Sequence, residues 1–178
     1  MKEYLEIVNE NDEVIGLKPR EEIHRLGLLH REVHVYYKNK NNEIIFQRRA
    51  KDKDTYPDLL DATVGGHVEK GDSYVQTAIK EALEETGIMI KANELILINK
   101  VRKGPVVDKI TKKINNVFRV SYLYSFEGDL SQLKVEKGKA QGFEAWGIDK
   151  LIKISKEDKE NFIPYVISYV LKVISNKL

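Results

Sequence analysis

Glu81, Glu84 and Glu85 crowd the end of the stretch GGHVEKGDSYVQTAIKEALEETGI, which runs from Gly65 to Ile88. At about 100° per residue these positions fall on one side of a helix. Neighbouring carboxylates repel unless a positive charge lies among them, and hard divalent cations such as Mg²⁺ or Mn²⁺ prefer carboxylate oxygens. An isolated acidic helix face is ordinarily only solvated. The glycines argue for more, because a glycine-rich turn feeding a helix N-terminus brings backbone N–H groups close to a phosphate. A metal face and a phosphate cradle on one helix point to chemistry on phosphate groups.

The helix itself has clear boundaries. Ser73 starts it, with Gln76 at the capping-box spacing, and Gly87 ends it. Val75, Ala78, Ile79, Ala82 and Leu83 repeat at helical spacing. Upstream, YLEIV (4–8) and EVIGL (13–17) flank a polar turn and read as a hairpin. PREEIHRLG reads as one or two helical turns closed by Gly27. REVHVYYK (31–38) and EIIFQRR (43–49) form a second hairpin around NKNN, followed by the charged loop AKDKDTYPD and a strand at LLDATV (59–64). Downstream, ELILINKVR (94–102) and NNVFRVSYLYSF (115–126) are strands joined by a basic hairpin loop, VRKGPVVDKITKK. FEAWGI (143–148) is a further strand, and Asn161 to Lys177 a closing helix with Ile163, Val166, Ile167, Val170, Leu171 and Ile174 on one face. This order predicts a mixed sheet with helices on its faces, an α/β (α+β) fold, with residues 1–178 forming one domain.

Composition narrows the function. The 178 residues are 42% hydrophobic and 33% charged, an ordinary globular balance. A net charge of +2 gives no case for a nucleic-acid or membrane-surface partner. The absence of cysteine excludes disulfides, thiolate nucleophiles and zinc–thiolate sites, and agrees with a cytoplasmic location. The acidic N-terminus is not a signal peptide. The apolar stretch from Phe162 to Ile174 contains Pro164 and Lys172 and is too short to span a bilayer.

The Gly65–Ile88 stretch resembles the Nudix box, written G-x5-E-x7-R-E-U-x-E-E-x-G-U with U apolar. Gly66 matches its first glycine, and Glu81, Ala82, Glu84, Glu85, Gly87 and Ile88 fall in register. Asp72 stands in place of the first glutamate and Lys80 in place of the arginine. Aspartate at a helix start still meets a favourable dipole, whereas lysine lacks the bidentate fork of arginine. The resemblance implies an α/β/α sandwich with a mixed central sheet, and hydrolysis of a nucleoside diphosphate linked to another group. It also implies that Glu81, Glu84 and Glu85 hold Mg²⁺ or Mn²⁺, with Lys80 beside them and Glu84 accepting the proton of the attacking water.

The segments EYLEIVNENDEVIGLKPREEIHRLGLLHREVHVYYKN and RRAKDKDTYPDLLDATVGGH resemble the isopentenyl-diphosphate isomerase branch of the same superfamily, over roughly residues 3 to 90. That resemblance implies metal-binding histidines at His24, His30 and His67, and diphosphate contacts from Arg49 and Lys53, with Gly65, Gly66 and His67 next to the substrate. It fails where isomerisation needs it. Gly65 stands at the position of the isomerase cysteine, and Ile114 and Asn116 stand at the positions of its later glutamates. Without an acid and a base on opposite faces of the substrate, allylic proton transfer has no route. The reading is a hydrolase related to the isomerases; isomerase activity and a non-catalytic nucleotide sensor remain as alternatives. His34 reads as a strand residue, Glu144 as solvated, and Phe118, Tyr122, Tyr124 and Trp146 as packing. The partner is a small pyrophosphate compound. Dimer contact through the last helix is a minor option.

Overall fold

The computed structural model describes residues 3–53 and 55–174. A seven-stranded mixed sheet forms its centre, from β3 (His30–Asn39), β4 (Glu43–Arg49), β5 (Leu60–Asp61), β6 (Val64–His67), β7 (Ile96–Val107), β8 (Ile114–Phe126) and β9 (Ala140–Gly147). β3 runs parallel to β8, and the other pairings are antiparallel. β1 (Tyr4–Val8) and β2 (Val14–Pro19) make the separate N-terminal hairpin, followed by α1 (Arg20–Leu26), which Gly27 closes at φ 66°.

The strand period of two explains the layers. On one face Val33, Val35, Tyr37, Ile45, Val120 and Tyr122 pack against Ala78 and Ala82 of α2 (Tyr74–Thr86). On the other, Tyr36, Ile44, Phe46 and Leu123 pack against Leu151 and the C-terminal residues Phe162, Ile163, Val166, Val170 and Ile174. Helical segments thus lie on both faces of a mixed sheet. Among the described residues, no helix is long and apolar enough to cross a membrane.

Three stretches differ from the sequence expectation. The basic loop expected at 101–113 is mostly strand, since β7 runs to Val107 paired with β8 and only 108–113 connect them. The stretch 59–64 is two short strands with different partners, because the sheet forks. β3 and β4 pair at Tyr37–Ile45 and Lys38–Ile44. Beyond that, β4 pairs with β5 and β3 with β6. Thr63 sits in the crotch: its hydroxyl accepts from Tyr37 N at 2.8 Å and donates to the carbonyl of Ile45. One side chain thereby replaces a ladder bond. The closing helix starts at Val166 as α5 (Val166–Tyr169), continued by a π turn over Val170–Ile174, and not at Asn161. Residues 161–163 instead pair with β5, through Leu60 N to Asn161 O at 2.7 Å and Ile163 N to Leu60 O at 3.0 Å. Positions 175–177 of the expected helix lie outside the described residues. The short helices α3 (Ile148–Ile152) and α4 (Lys156–Lys159) carry too few residues for a periodic signal.

Candidate active site

α2 forms as its caps dictate. Ser73 Oγ accepts from Gln76 N at 3.2 Å, Gln76 Oε1 accepts from Ser73 N at 2.9 Å, and Gly87 closes the helix at φ 72°. Its buried stripe is Thr77, Ala78, Glu81, Ala82, Glu85 and Thr86, while Leu83 is 47% exposed. The three glutamates do not share one face equally. Glu81 and Glu85, about 40° apart on the helix, are pressed towards the sheet, and Glu84 is exposed on the rim.

β6 makes room for the two buried carboxylates. A Cβ on Gly66 would lie 2.6 Å from Glu81 Cγ, so any other residue there would displace the Glu81 side chain. Glu85 Oε2 accepts from Gly65 N and from Gln47 Nε2, both at 3.2 Å. Burial pushes Glu85 up to about 7, helped by the charge of Glu81, while Lys139 opposes the rise. Burial also raises Glu81 above the usual carboxylate range. Glu81 Oε2 is buried and lacks a hydrogen-bond partner. Two desolvated carboxylates side by side, one with an unfilled oxygen, fit a hard divalent cation. Lys139, on the segment entering β9, brings its ammonium to 3.6 Å from Glu81 and 3.8 Å from Glu85. No spacing pattern in the sequence points to it; only the fold brings it here.

Lys80 turns away from the buried pair and meets Glu69 at 2.6 Å. Asp72 lies in the turn before the helix, its N–H donating to Glu69 O at 3.1 Å. Arg49 fastens the loop after β4, donating to Tyr56 O at 3.2 Å and Thr55 O at 2.9 Å, with Asp61 Oδ2 at 3.5 Å. Burial lowers the basicity of Lys53, and the positive charges of Arg49 and Lys139 lower it further. The loop thus gathers cations next to the carboxylates. Asp54 lies outside the described residues.

Gly65 and His67 face the other side of the sheet. There the rings of His24, His30 and His67 stand with centroids 4.9 to 5.2 Å apart, and one nitrogen from each lies within 4.8 Å of the others. Burial lowers all three, His24 to about 4. Three neutral imidazoles suit a borderline divalent metal. The nearby Asn116 supplies no acid: its amide donates to Gly27 O at 2.8 Å and accepts from Arg102 at 2.6 Å. Next along this face come a buried Glu32–Arg119 ion pair and His34, whose Nδ1 has no partner, as does the hydroxyl of Tyr36. Lys103, lowered to about 8 chiefly by burial, lies 4.2 Å from the Tyr165 ring centroid.

Glu144 is not free in solvent. It pairs with Arg48 at 2.6 Å and accepts from Trp146 Nε1 at 3.3 Å. Trp146 and Tyr122 are core residues on opposite faces, Tyr124 packs on the α2 side, and Phe118 packs under the N-terminal hairpin with Val8 and Leu29.

The NUDIX domain family model matches residues 28–166. An uncharacterised Nudix hydrolase of Clostridium acetobutylicum is 32% identical over 155 residues, covering 85% of this chain and 73% of the relative. The Nudix hydrolase YfcD of Escherichia coli is 40% identical over 86 residues, just under half of either chain (48% of each). Among solved structures, DR0079 of Deinococcus radiodurans superposes with a TM-score of 0.73 at 22% identity, covering 96% of this chain and 99% of that one. The NUDIX domain of Shewanella oneidensis NrtR, crystallised with ADP ribose, has a TM-score of 0.60 at 10% identity, covering 84% and 86%. The family match takes in the forked sheet and all of α2 with its three glutamates, and with the relative from Clostridium it establishes that this chain belongs to the Nudix hydrolases.

Proposed function

We propose that the protein is a divalent-metal-dependent pyrophosphohydrolase acting on a diphosphate linked to a polar, nucleotide-derived group. The observation that carries this is the seating of Glu81 and Glu85 side by side against the glycine backbone of β6, with Glu84 on the rim. Glu81, Glu84 and Glu85 would hold Mg²⁺ or Mn²⁺. When bound, the cation supplies charge neutralisation and Lewis acidity at the pyrophosphate oxygens.

The chain's own groups do the rest. Glu84, open to solvent, accepts the proton of the attacking water. Arg49 and Lys53 draw in the phosphates, with Arg49 also fixing the loop that carries Lys53. Gly65 leaves its side of β6 bare for close approach, while Gly66 makes room for the Glu81 side chain that would hold the cation. His67, on the same side of β6 as Gly65 and next to His24 and His30, would border the attached group. Asp72 lies in the turn leading into α2, and Lys80, from the middle of α2 and tied to Glu69, steadies that turn.

The group attached to the diphosphate meets Gly65, His34, Lys103, Arg119 and Glu32. A prenyl chain there offers nothing to His34 Nδ1 and the Tyr36 hydroxyl, which are buried without partners, whereas a sugar or nucleoside supplies hydrogen bonds. Gly65 and Asn116 stand where an isomerase needs its acid and base, and with this polar surface they count against the isomerase reading.

Phosphate release, with pyrophosphatase added, is the test. Wild type and Glu85→Gln are compared with Mg²⁺ or Mn²⁺ across nucleotide sugars, dinucleotides, nucleoside triphosphates and isopentenyl diphosphate, beginning with ADP-ribose. The expected result is turnover of a nucleotide-linked compound that falls more than about 100-fold in the variant, beyond the 10–100-fold typical of groups that only support metal ligands. Nucleotide binding without turnover in wild type would instead identify a sensor.

A further inference from the structure

The ammonium of Lys139 lies 3.6 Å from Glu81 Oε2, 3.8 Å from Glu85 Oε1 and 3.1 Å from Glu136 Oε2. The first two oxygens belong to the buried carboxylates of the proposed metal site. At such separations, a lysine cation and a divalent cation repel each other strongly in a partly desolvated setting. They therefore compete for the same two side chains.

The geometry of Lys139 suits a cation that can leave. Its distances to Glu81 and Glu85 are those of an ion pair and exceed a hydrogen bond's reach. Glu81 Oε2 accordingly keeps its unfilled acceptor capacity. Glu136, three residues back on the same segment, lies closer to the amine, with Oε2 at 3.1 Å. The backbone of Lys139 is fixed at both ends: its N–H donates to Glu136 O at 3.1 Å, and its carbonyl accepts from Ala50 N at 3.0 Å. Motion is thus confined to the four-carbon side chain. Ala50 directly follows Arg49 and opens the loop that carries Lys53, so a displaced Lys139 ammonium remains next to the phosphate-binding cations.

We propose that Lys139 is an internal counter-ion of the Glu81–Glu85 pair, which a divalent cation displaces and which then turns to the substrate's phosphates beside Lys53 and Arg49. This rests on the metal-dependent reading above. Lys139 is then a positioning residue with two seats. It lowers the affinity of the site for metal alone, and a bound polyphosphate removes that competition by drawing the amine away. Metal and substrate consequently favour each other's binding.

The experiment is calorimetric titration with Mn²⁺ alone, without substrate, of wild type, Lys139→Gln, Lys139→Arg and Lys53→Gln. Lys53→Gln removes a neighbouring positive charge and so reports the general field. The expected result is Mn²⁺ affinity about tenfold tighter in Lys139→Gln, with Lys139→Arg and Lys53→Gln within about twofold of wild type. Equal or weaker affinity in Lys139→Gln, or the same tightening in Lys53→Gln, overturns the proposal and leaves the metal-dependent reading standing. Absence of Mn²⁺ binding in both wild type and Lys139→Gln overturns the two together.

Discussion

Glu81 fills the space that a side chain on Gly66 would need: a Cβ at Gly66 would stand 2.6 Å from Glu81 Cγ. Its neighbour Gly65 is different, since a Cβ there meets His34 Cδ2 at an ordinary 3.4 Å. The two glycines of the box therefore separate experimentally. Gly66→Ala should cost about 1–3 kcal/mol of stability by overpacking, and should lower activity by displacing Glu81. Gly65→Ala should cost less than about 1 kcal/mol. Urea unfolding of both variants checks this, and equal losses would refute the packing argument.

The buried carboxylates make stability depend on pH. Glu85 is raised from an unfolded value near 4.5 to about 7, first by burial and then by Glu81, against the pull of Lys139. The folded state therefore holds this proton more tightly than the unfolded state. The contribution is complete below pH 4.5 and is lost as pH rises through about 7, on the order of 3 kcal/mol. Glu81 shifts in the same direction. Metal-free wild type should lose stability over this window more steeply than Glu85→Gln, measured by denaturant midpoints with chelator present. A parallel dependence in the two proteins would show that Glu85 is not the source.

Glu32 and Arg119 form an ion pair on the sheet face opposite α2, 7% and 4% exposed. Glu32→Ala leaves Arg119 buried without its partner and should destabilise by about 3–5 kcal/mol. The double variant Glu32→Leu, Arg119→Met removes both charges and should be the more stable of the two. Its defect should appear instead as a raised KM for a nucleotide-linked substrate. An unchanged KM would remove this face from the proposed substrate site.

Arg49 and Lys53 have different surroundings, and their variants should differ in kind. Arg49→Ala frees the carbonyls of Thr55 and Tyr56 and leaves Asp61 without its partner, so stability falls by about 1–3 kcal/mol together with kcat/KM. Lys53→Ala breaks no such anchor and should raise KM about tenfold with the unfolding midpoint little changed. Thermal unfolding beside steady-state kinetics separates the cases; a stability loss in Lys53→Ala would count against its role as a phosphate contact.

Local patterns announced much of this molecule. The caps at Ser73 and Gly87, the hairpins around Glu10–Asp12 and Lys40–Asn42, and the runs of β-forming residues in β3, β4 and β8 are each written within a few residues. The metal-type carboxylates and the glycines beside them were equally legible, because their spacing on one turn–helix unit is itself the signal. Their unequal burial was not. Whether Glu84 or Glu85 faces the sheet depends on how α2 is rotated over β6, which Ala78, Ala82 and Gly66 decide together by packing.

What the sequence determined by itself was therefore the chemistry available: three carboxylates, a glycine turn and a family of hydrolases that uses them. Only the tertiary structure decided what surrounds that chemistry. Lys139 reaches the carboxylates because β9 pairs with β4. The polar face of Glu32, His34 and Arg119 arises from the parallel register of β3 and β8. The fork at Thr63 turns one apparent strand into two. Each of these joins residues distant in the chain, and no local periodicity encodes a contact that exists only once the sheet has closed.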